Sequence, residues 1–251
     1  MKRERNNCGF SLMEVLLAMA TLSIGMIFVA GVFPVAIHFS TIATERTIAA
    51  VVADEAFAKI RIYGEVDLDY QNWLSAEPPV GCVDFSELVT VELDEFAYPS
   101  DPCNNILRTR YCWSALCRRV GTTRLVQVTV FISRKIGSGT GYRDPDNPMS
   151  DGVPYPMPVK VGVSLVSGNE LRIKDSEQTS FINDDYTIVD DLTGRLYRVL
   201  ERYRPPNDDT IVLDRPWDVD SPAPDWVWVV PSPVNGGRYP CLAAYQKVIR
   251  F

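Results

Sequence analysis

The spacing of hydrophobic positions changes along this chain, and each change marks a different kind of element. From Val15 to Ile37 there is no charged residue, about the ~20 residues that cross a ~30 Å hydrocarbon core as a helix. From Glu45 to Tyr63 the apolar positions thin to a stripe. Ile48, Val52, Ala56, Ile60 and Tyr63 recur at four- and three-residue spacing, while Glu45, Arg46, Asp54, Glu55 and Lys59 fill other faces. The pattern predicts one helix from Phe10 to Tyr63, ended by Gly64 and roughly 80 Å long at ~1.5 Å per residue. Its first half is apolar all round and needs lipid or other subunits as surroundings; its second half is amphipathic. Gly25, Gly31 and Pro34 interrupt the first half, and Pro34, which removes the bond to the Ala30 carbonyl, predicts a kink.

The period then shifts to two. Residues 64–105 read as turns and irregular structure, with one short strand at Leu88–Leu93. Tyr111–Arg119 and Arg124–Ile132 bracket Val120-Gly121-Thr122-Thr123 and predict a β-hairpin. In its second strand Val126, Val128, Val130 and Ile132 form one apolar face, suited to lie on the amphipathic helix. Residues 137–158 form a long Gly- and Pro-rich loop. Beyond it, Val159–Val166, Glu170–Lys174, Tyr186–Val189, Arg195–Glu201, Thr210–Leu213, Trp226–Val230 and Tyr239–Arg250 are short strands, suggesting a small antiparallel sheet or barrel. Trp217, Trp226 and Trp228 lie in this region, either as core or as an exposed contact patch.

One residue conflicts with the hydrophobic pattern. Glu14 is the only charged residue between Phe10 and Phe39, near the end of a segment that should reject charge, and an intramembrane carboxylate is a functional candidate by default. Lys2, Arg3 and Arg5 precede the segment, so the positive-inside bias leaves the N-terminus in the cytoplasm and the C-terminal part outside. A cleaved secretory signal has a shorter apolar core, although Ala18-Met19-Ala20 supplies a small-x-small triplet. An ordinary signal anchor fits the length but gives no reason for Glu14.

Gly9-Phe10-Ser11-Leu12-Met13-Glu14-Val15-Leu16 closely resembles the processing site of type IV pilins and type II secretion pseudopilins. The match covers only the first ~30 residues of the chain. The resemblance implies a leader (residues 1–9) cut after Gly9 by a prepilin peptidase, N-methylation of Phe10 by the same membrane enzyme, and a role for Glu14 in filament assembly. It also implies an inner-membrane protein, its C-terminal part periplasmic, that joins other pilin or pseudopilin subunits through its helix. Chemistry agrees with it. Cleavage frees an α-ammonium on Phe10, which shares a helix face with Glu14 at i, i+4. A carboxylate in the first turn also suits the helix dipole. A neighbouring subunit's Phe10 ammonium would neutralise Glu14, and a paired buried charge costs far less than a lone one. The fold this implies is α+β: the long helix of residues 10–63 packed on an antiparallel sheet in residues 64–158, with a β-rich extension at 159–251.

Composition narrows the alternatives. The formal net charge is −7; losing Lys2, Arg3, Arg5 and Glu4, a net +2, leaves −9, so no nucleic-acid partner is expected. Six cysteines occur. Cys8 leaves with the leader, and outside the cytoplasm Cys82 with Cys103 and Cys112 with Cys117 are possible disulfides by proximity, Cys241 being left over. No Cys-x-x-Cys is present and the single histidine, His38, lies in the apolar segment, so no metal is expected. Asp144-Pro145-Asp146-Asn147 and Asp151-Gly152 resemble a calcium loop only loosely, lacking the EF-hand ligand order. Some pseudopilins bind calcium in a loop; a solvated acidic loop is the simpler reading. No nucleophile–histidine arrangement, phosphate loop or GxGxxG is present, so no enzyme is expected. The rival to a filament subunit is a membrane-anchored extracytoplasmic binding module with a β-rich recognition domain.

Overall fold

A computed structural model of the chain describes residues 11–76, 81–100, 109–121, 124–136, 140–145, 147, 152–204, 207–218, 223–234 and 236–251. The chain forms two compact units, residues 1–47 and residues 48–251.

The first unit is helical. Helix α1 (Leu12–Val66) begins in it and runs unbroken through Gly25, Gly31 and Pro34; Pro34 removes a donor without ending the helix. The large apolar side chains from Leu12 to Phe39 are exposed. The hydroxyls of this stretch turn back on its own backbone: Thr21 donates to Ala18 O (3.0 Å), Ser23 to Met19 O (2.8 Å) and Thr41 to Ile37 O (2.9 Å). That satisfies them without water, as a lipid-facing helix requires.

In the second unit the amphipathic part of α1 buries Val52, Ala56 and Ile60 completely, with Ile48 and Tyr63 packed at the margins. The helix passes Gly64 and ends at Val66. Asp67 then caps a second helix, α2 (Leu68–Ser75), its carboxylate accepting the N–H groups of Asp69 and Tyr70. The expected turns at 70–74 are therefore helical, and Tyr70 and Leu74, four apart, supply its buried edge. The expected strand at Leu88–Leu93 is also absent. In its place lie β1 (Val83–Asp84), α3 (Phe85–Leu88, capped by Asp84), a 3₁₀ turn at Leu93–Phe96 and β2 (Ala97–Tyr98).

The hairpin is as the alternation predicts. β3 (Tyr111–Arg119) pairs antiparallel with β4 (Leu125–Arg134) from Tyr111↔Arg134 to Arg119↔Val126. Val126, Val128, Val130 and Ile132 are buried against Ala49, Val52, Ala53, Ala56 and Ile60. Phe85, Phe96 and Trp113 fill the rest of this core, the last two with ring centroids 4.8 Å apart.

The remaining strands overturn the expected fold class. β5 (Val159–Ser167), β6 (Glu170–Ile173), β7 (Thr187–Asp190), β8 (Leu196–Arg202), β9 (Thr210–Leu213) and β10 (Trp226–Val229) close into a six-stranded barrel in the order β10-β5-β6-β9-β8-β7. The last strand, β11 (Cys241–Arg250), returns to the first sheet beside β4, giving β1-β3-β4-β11 with β2 on β3. The protein is thus not a helix on one sheet with a C-terminal appendage. A closed barrel is inserted between two neighbouring strands of the sheet, and a barrel has no counterpart in a pilin sheet. Closure buries one face of these short strands: their alternate residues (Val159, Val161, Val163; Ile211, Leu213; Val227, Val229) are all apolar and fill the barrel core.

Candidate functional site

Two regions carry candidate function, one in each unit, and α1 supplies the first. Glu14 lies in its opening turn, where its N–H donates to Ser11 O (2.9 Å). Its side chain is exposed and lines a shallow concavity with Val15, Ala18, Met19 and Leu22. A second concavity follows on the helix, lined by Ala18, Leu22, Gly25, Val29, Phe33 and Pro34. Cβ atoms added at Gly25 or Gly31 would meet nothing within 4 Å, so packing within the chain does not require glycine at either place. This helix is long and apolar enough to cross a membrane, and none of its most apolar stretch is buried within the protein. Gly9 and Phe10 lie outside the described residues.

The second region is the barrel and its seat. The β7–β10 wall packs on the sheet face opposite the helix, through Val189, Trp228 and Val230 against Cys82, Leu116, Phe131 and Cys241. Polar groups fix this contact. Asp191, buried, accepts from Trp228 Nε1 (2.7 Å) and from the Cys82 N–H (3.3 Å), and pairs with Lys160 Nζ (2.9 Å). Gly81, at φ +109°, brings its backbone so close that a Cβ there would stand 2.8 Å from the Asp191 carboxylate. Across the sheet Arg118 Nε donates to Leu192 O (2.5 Å), and the Gln127 and Gln246 amides donate to Gly194 O (3.2 and 2.7 Å). The turn Asp190–Gly194 is thus gripped by three strands. Its Asp-Asp-Leu-Thr-Gly composition announced a turn, but nothing in it announced these distant partners.

At one end of the barrel the segment before β7, the β10–β11 connection and Arg143 from the β4–β5 connection enclose a cavity of about 540 Å³. Asn183, Asp184, Tyr186, Ser232 and Tyr239 line it. The Arg143 guanidinium lies 4.8 Å over the Phe181 ring, and Tyr186 and Tyr239 stack at 3.8 Å. Burial raises the Tyr239 phenol well above its usual range. The lining offers hydrogen-bond donors and acceptors, among them the Tyr186 and Ser232 hydroxyls, which contact each other.

Cys112 and Cys117 do not form the suggested pair. Cys82, Cys112, Cys117 and Cys241 are free and buried. Cys112 and Cys117 share strand β3, five residues apart and on opposite faces; that is ~17 Å of extended chain, far beyond the ~7 Å Cα separation a disulfide spans. Cys103 lies outside the described residues, so its pairing with Cys82 does too. Among the described residues no group of three or more His, Cys, Asp or Glu is arranged to hold a metal ion. His38 sits in the apolar stretch with its ring 6.1 Å from that of Phe39. Asp146 and Asp151 of the loose calcium resemblance are outside the described residues. Of the three tryptophans, Trp217 (4 % exposed) and Trp228 (6 %) are buried, whereas Trp226 is 45 % exposed.

No protein-family model, no curated protein and no solved structure matches the chain.

Proposed function

We propose that this chain is a filament subunit: inserted in the inner membrane by its N-terminal helix, cut between Gly9 and Phe10, methylated at Phe10, and polymerised through residues 10–39. The observation that carries this reading is Gly9-Phe10-Ser11-Leu12-Met13-Glu14 set directly before the uncharged stretch Val15–Ile37. The exposed apolar surface from Leu12 to Phe39 supports it, because a helix with no core of its own to join needs lipid first and neighbouring helices afterwards. Glu14 then receives the freed Phe10 ammonium of the adjoining subunit, which neutralises both charges and sets the register of addition. Lys2, Arg3 and Arg5 hold the leader in the cytoplasm, which leaves the barrel and sheet outside. Mass spectrometry of protein from its native host tests the processing: the mature chain begins at methylated Phe10, and a chain starting at Met1 or elsewhere overturns the reading. Glu14→Ala leaves the cut intact and abolishes co-assembly.

A second reading, an anchored binding module, is favoured by the closed barrel with a cavity at its end, since barrel ends are frequent ligand sites. It predicts that Glu14→Ala has no effect on activity at the cell surface.

A further inference from the structure

We infer that the outer wall of the barrel around Trp226 is a carbohydrate-binding platform that takes the flat face of a pyranose in a neutral polysaccharide. Trp226 on β10 stands directly opposite Gly162 on β5. Because Gly162 has no side chain, the indole lies across it, Cζ3 only 3.4 Å from where a Cβ would be, with the stem of Lys174 alongside. The ring therefore rests against the strand at Cζ3 while remaining 45 % exposed. Its neighbour two residues along the strand, Trp228, is buried in the seat of the barrel, so the exposure belongs to Trp226 specifically.

Fixed polar groups surround the ring. Beside it Lys174 Nζ is 2.8 Å from Asp225 Oδ1. Lys160 Nζ, from the paired strand β5, lies over the ring 5.7 Å from its centroid and is held 2.9 Å from Asp191. Each cation is already matched by a carboxylate, as Arg172 is by Asp209 (3.2 Å). That balance decides the ligand class. A phosphate-rich partner needs unmatched positive charge, and a protein hot spot needs an aromatic anchor set among desolvated apolar groups, whereas Lys174 and Asp225 beside this ring are charged and exposed. A pyranose presents one apolar C–H face to stack on an aromatic ring and hydroxyls around its rim. Each hydroxyl both donates and accepts, and an ion pair at the ring edge offers an acceptor and a donor together.

The inference does not depend on filament assembly. It is tested with the full-length chain in a detergent that bears no sugar head group, run on native gels containing dissolved dextran, galactomannan, hydroxyethyl cellulose or glycol chitin. The expected result is retarded migration in at least one polysaccharide. Trp226→Ala weakens that retardation about tenfold, the loss of one stacked ring, while Trp226→Phe retains part of it and Asp225→Asn lowers it severalfold. Leu200→Ala, which alters an exposed apolar side chain elsewhere on the barrel, leaves it unchanged. Thermal unfolding of each variant confirms that the barrel is intact. Unaltered migration in all four polysaccharides overturns the inference. So does retardation that persists in a folded Trp226→Ala protein, or Trp226-dependent capture of a protein in place of any glycan.

Discussion

Glu95 and the four buried thiols of the globular part show how local surroundings set chemistry. Lys59 of α1 reaches Glu95 at 2.8 Å and its carbonyl at 2.7 Å. This hydrogen bond holds the Glu95 carboxyl below its usual range, with a smaller contribution from Tyr63. A depressed carboxyl contributes stability above its unfolded-state pKa, near ~4.3, and that contribution is lost as pH falls through the lower folded-state value. Glu95→Gln should therefore unfold at lower denaturant than the parent at pH 7, and the gap should close below about pH 4; denaturant titrations at both pH values check this. The thiols shift the other way. Burial pushes Cys82, Cys112 and Cys241 up to about 12, and Cys117 higher still. At pH 8 all four are protonated and shielded, and only thiolates react readily. Iodoacetamide should leave them unmodified in the folded protein and label all four in denaturant, as peptide mass spectrometry would read. Labelling of folded protein at Cys112 or Cys117 would contradict the burial.

Among the elements, α1 shows how far hydrophobic period alone goes. Its stripe Ile48, Val52, Ala56, Ile60, Tyr63 was legible because a 3.6-residue period needs no knowledge of the partner surface, and β4 was legible because its alternation names the face that meets that stripe. Residues 67–98 were not legible. There the decisive features are caps, Asp67 for α2 and Asp84 for α3, on helices too short for a period to emerge. Barrel closure was open too, since strand spacing gives six strands without saying that the first and last pair. At the candidate sites, Glu14 stood out as a charge in an uncharged run, whereas Trp226 could not be told from Trp217 and Trp228 until each had a face. The two parts of α1 should respond oppositely to the same change. Ile60→Ala opens a cavity in a filled core and should cost roughly 2–5 kcal/mol in denaturant unfolding of the globular part. Leu16→Ala removes a side chain that touches no core and should shift that transition by less than about 0.5 kcal/mol.

For the globular unit as a whole, the insertion of one closed β structure into another sets the level of cooperativity. The barrel leaves the sheet after β4 and returns at β11, where the two connections meet: the Arg134 N–H donates to Pro240 O at 2.8 Å. Each part has its own apolar core, so nothing in the topology forces them to unfold together. What couples them is the small shared cluster around Leu116, Phe131 and Trp228 and the buried carboxylate of Asp191, which holds β5, β10 and the Cys82 backbone at once. Calorimetry of the parent should show a single transition for sheet and barrel. Asp191→Ala leaves the Trp228 N–H and the Cys82 N–H without their acceptor in a buried place, a loss of about 1–3 kcal/mol for each unsatisfied group. Because that loss falls on the junction and on neither core, the transition should split, the barrel and the sheet melting at separate temperatures. Gly81→Ala reaches the same junction from the other side, forcing a side chain into both a left-handed backbone and the Asp191 carboxylate. It should split the transition in the same way, and a single unbroken transition in both variants would mean that the apolar contact alone holds barrel and sheet together.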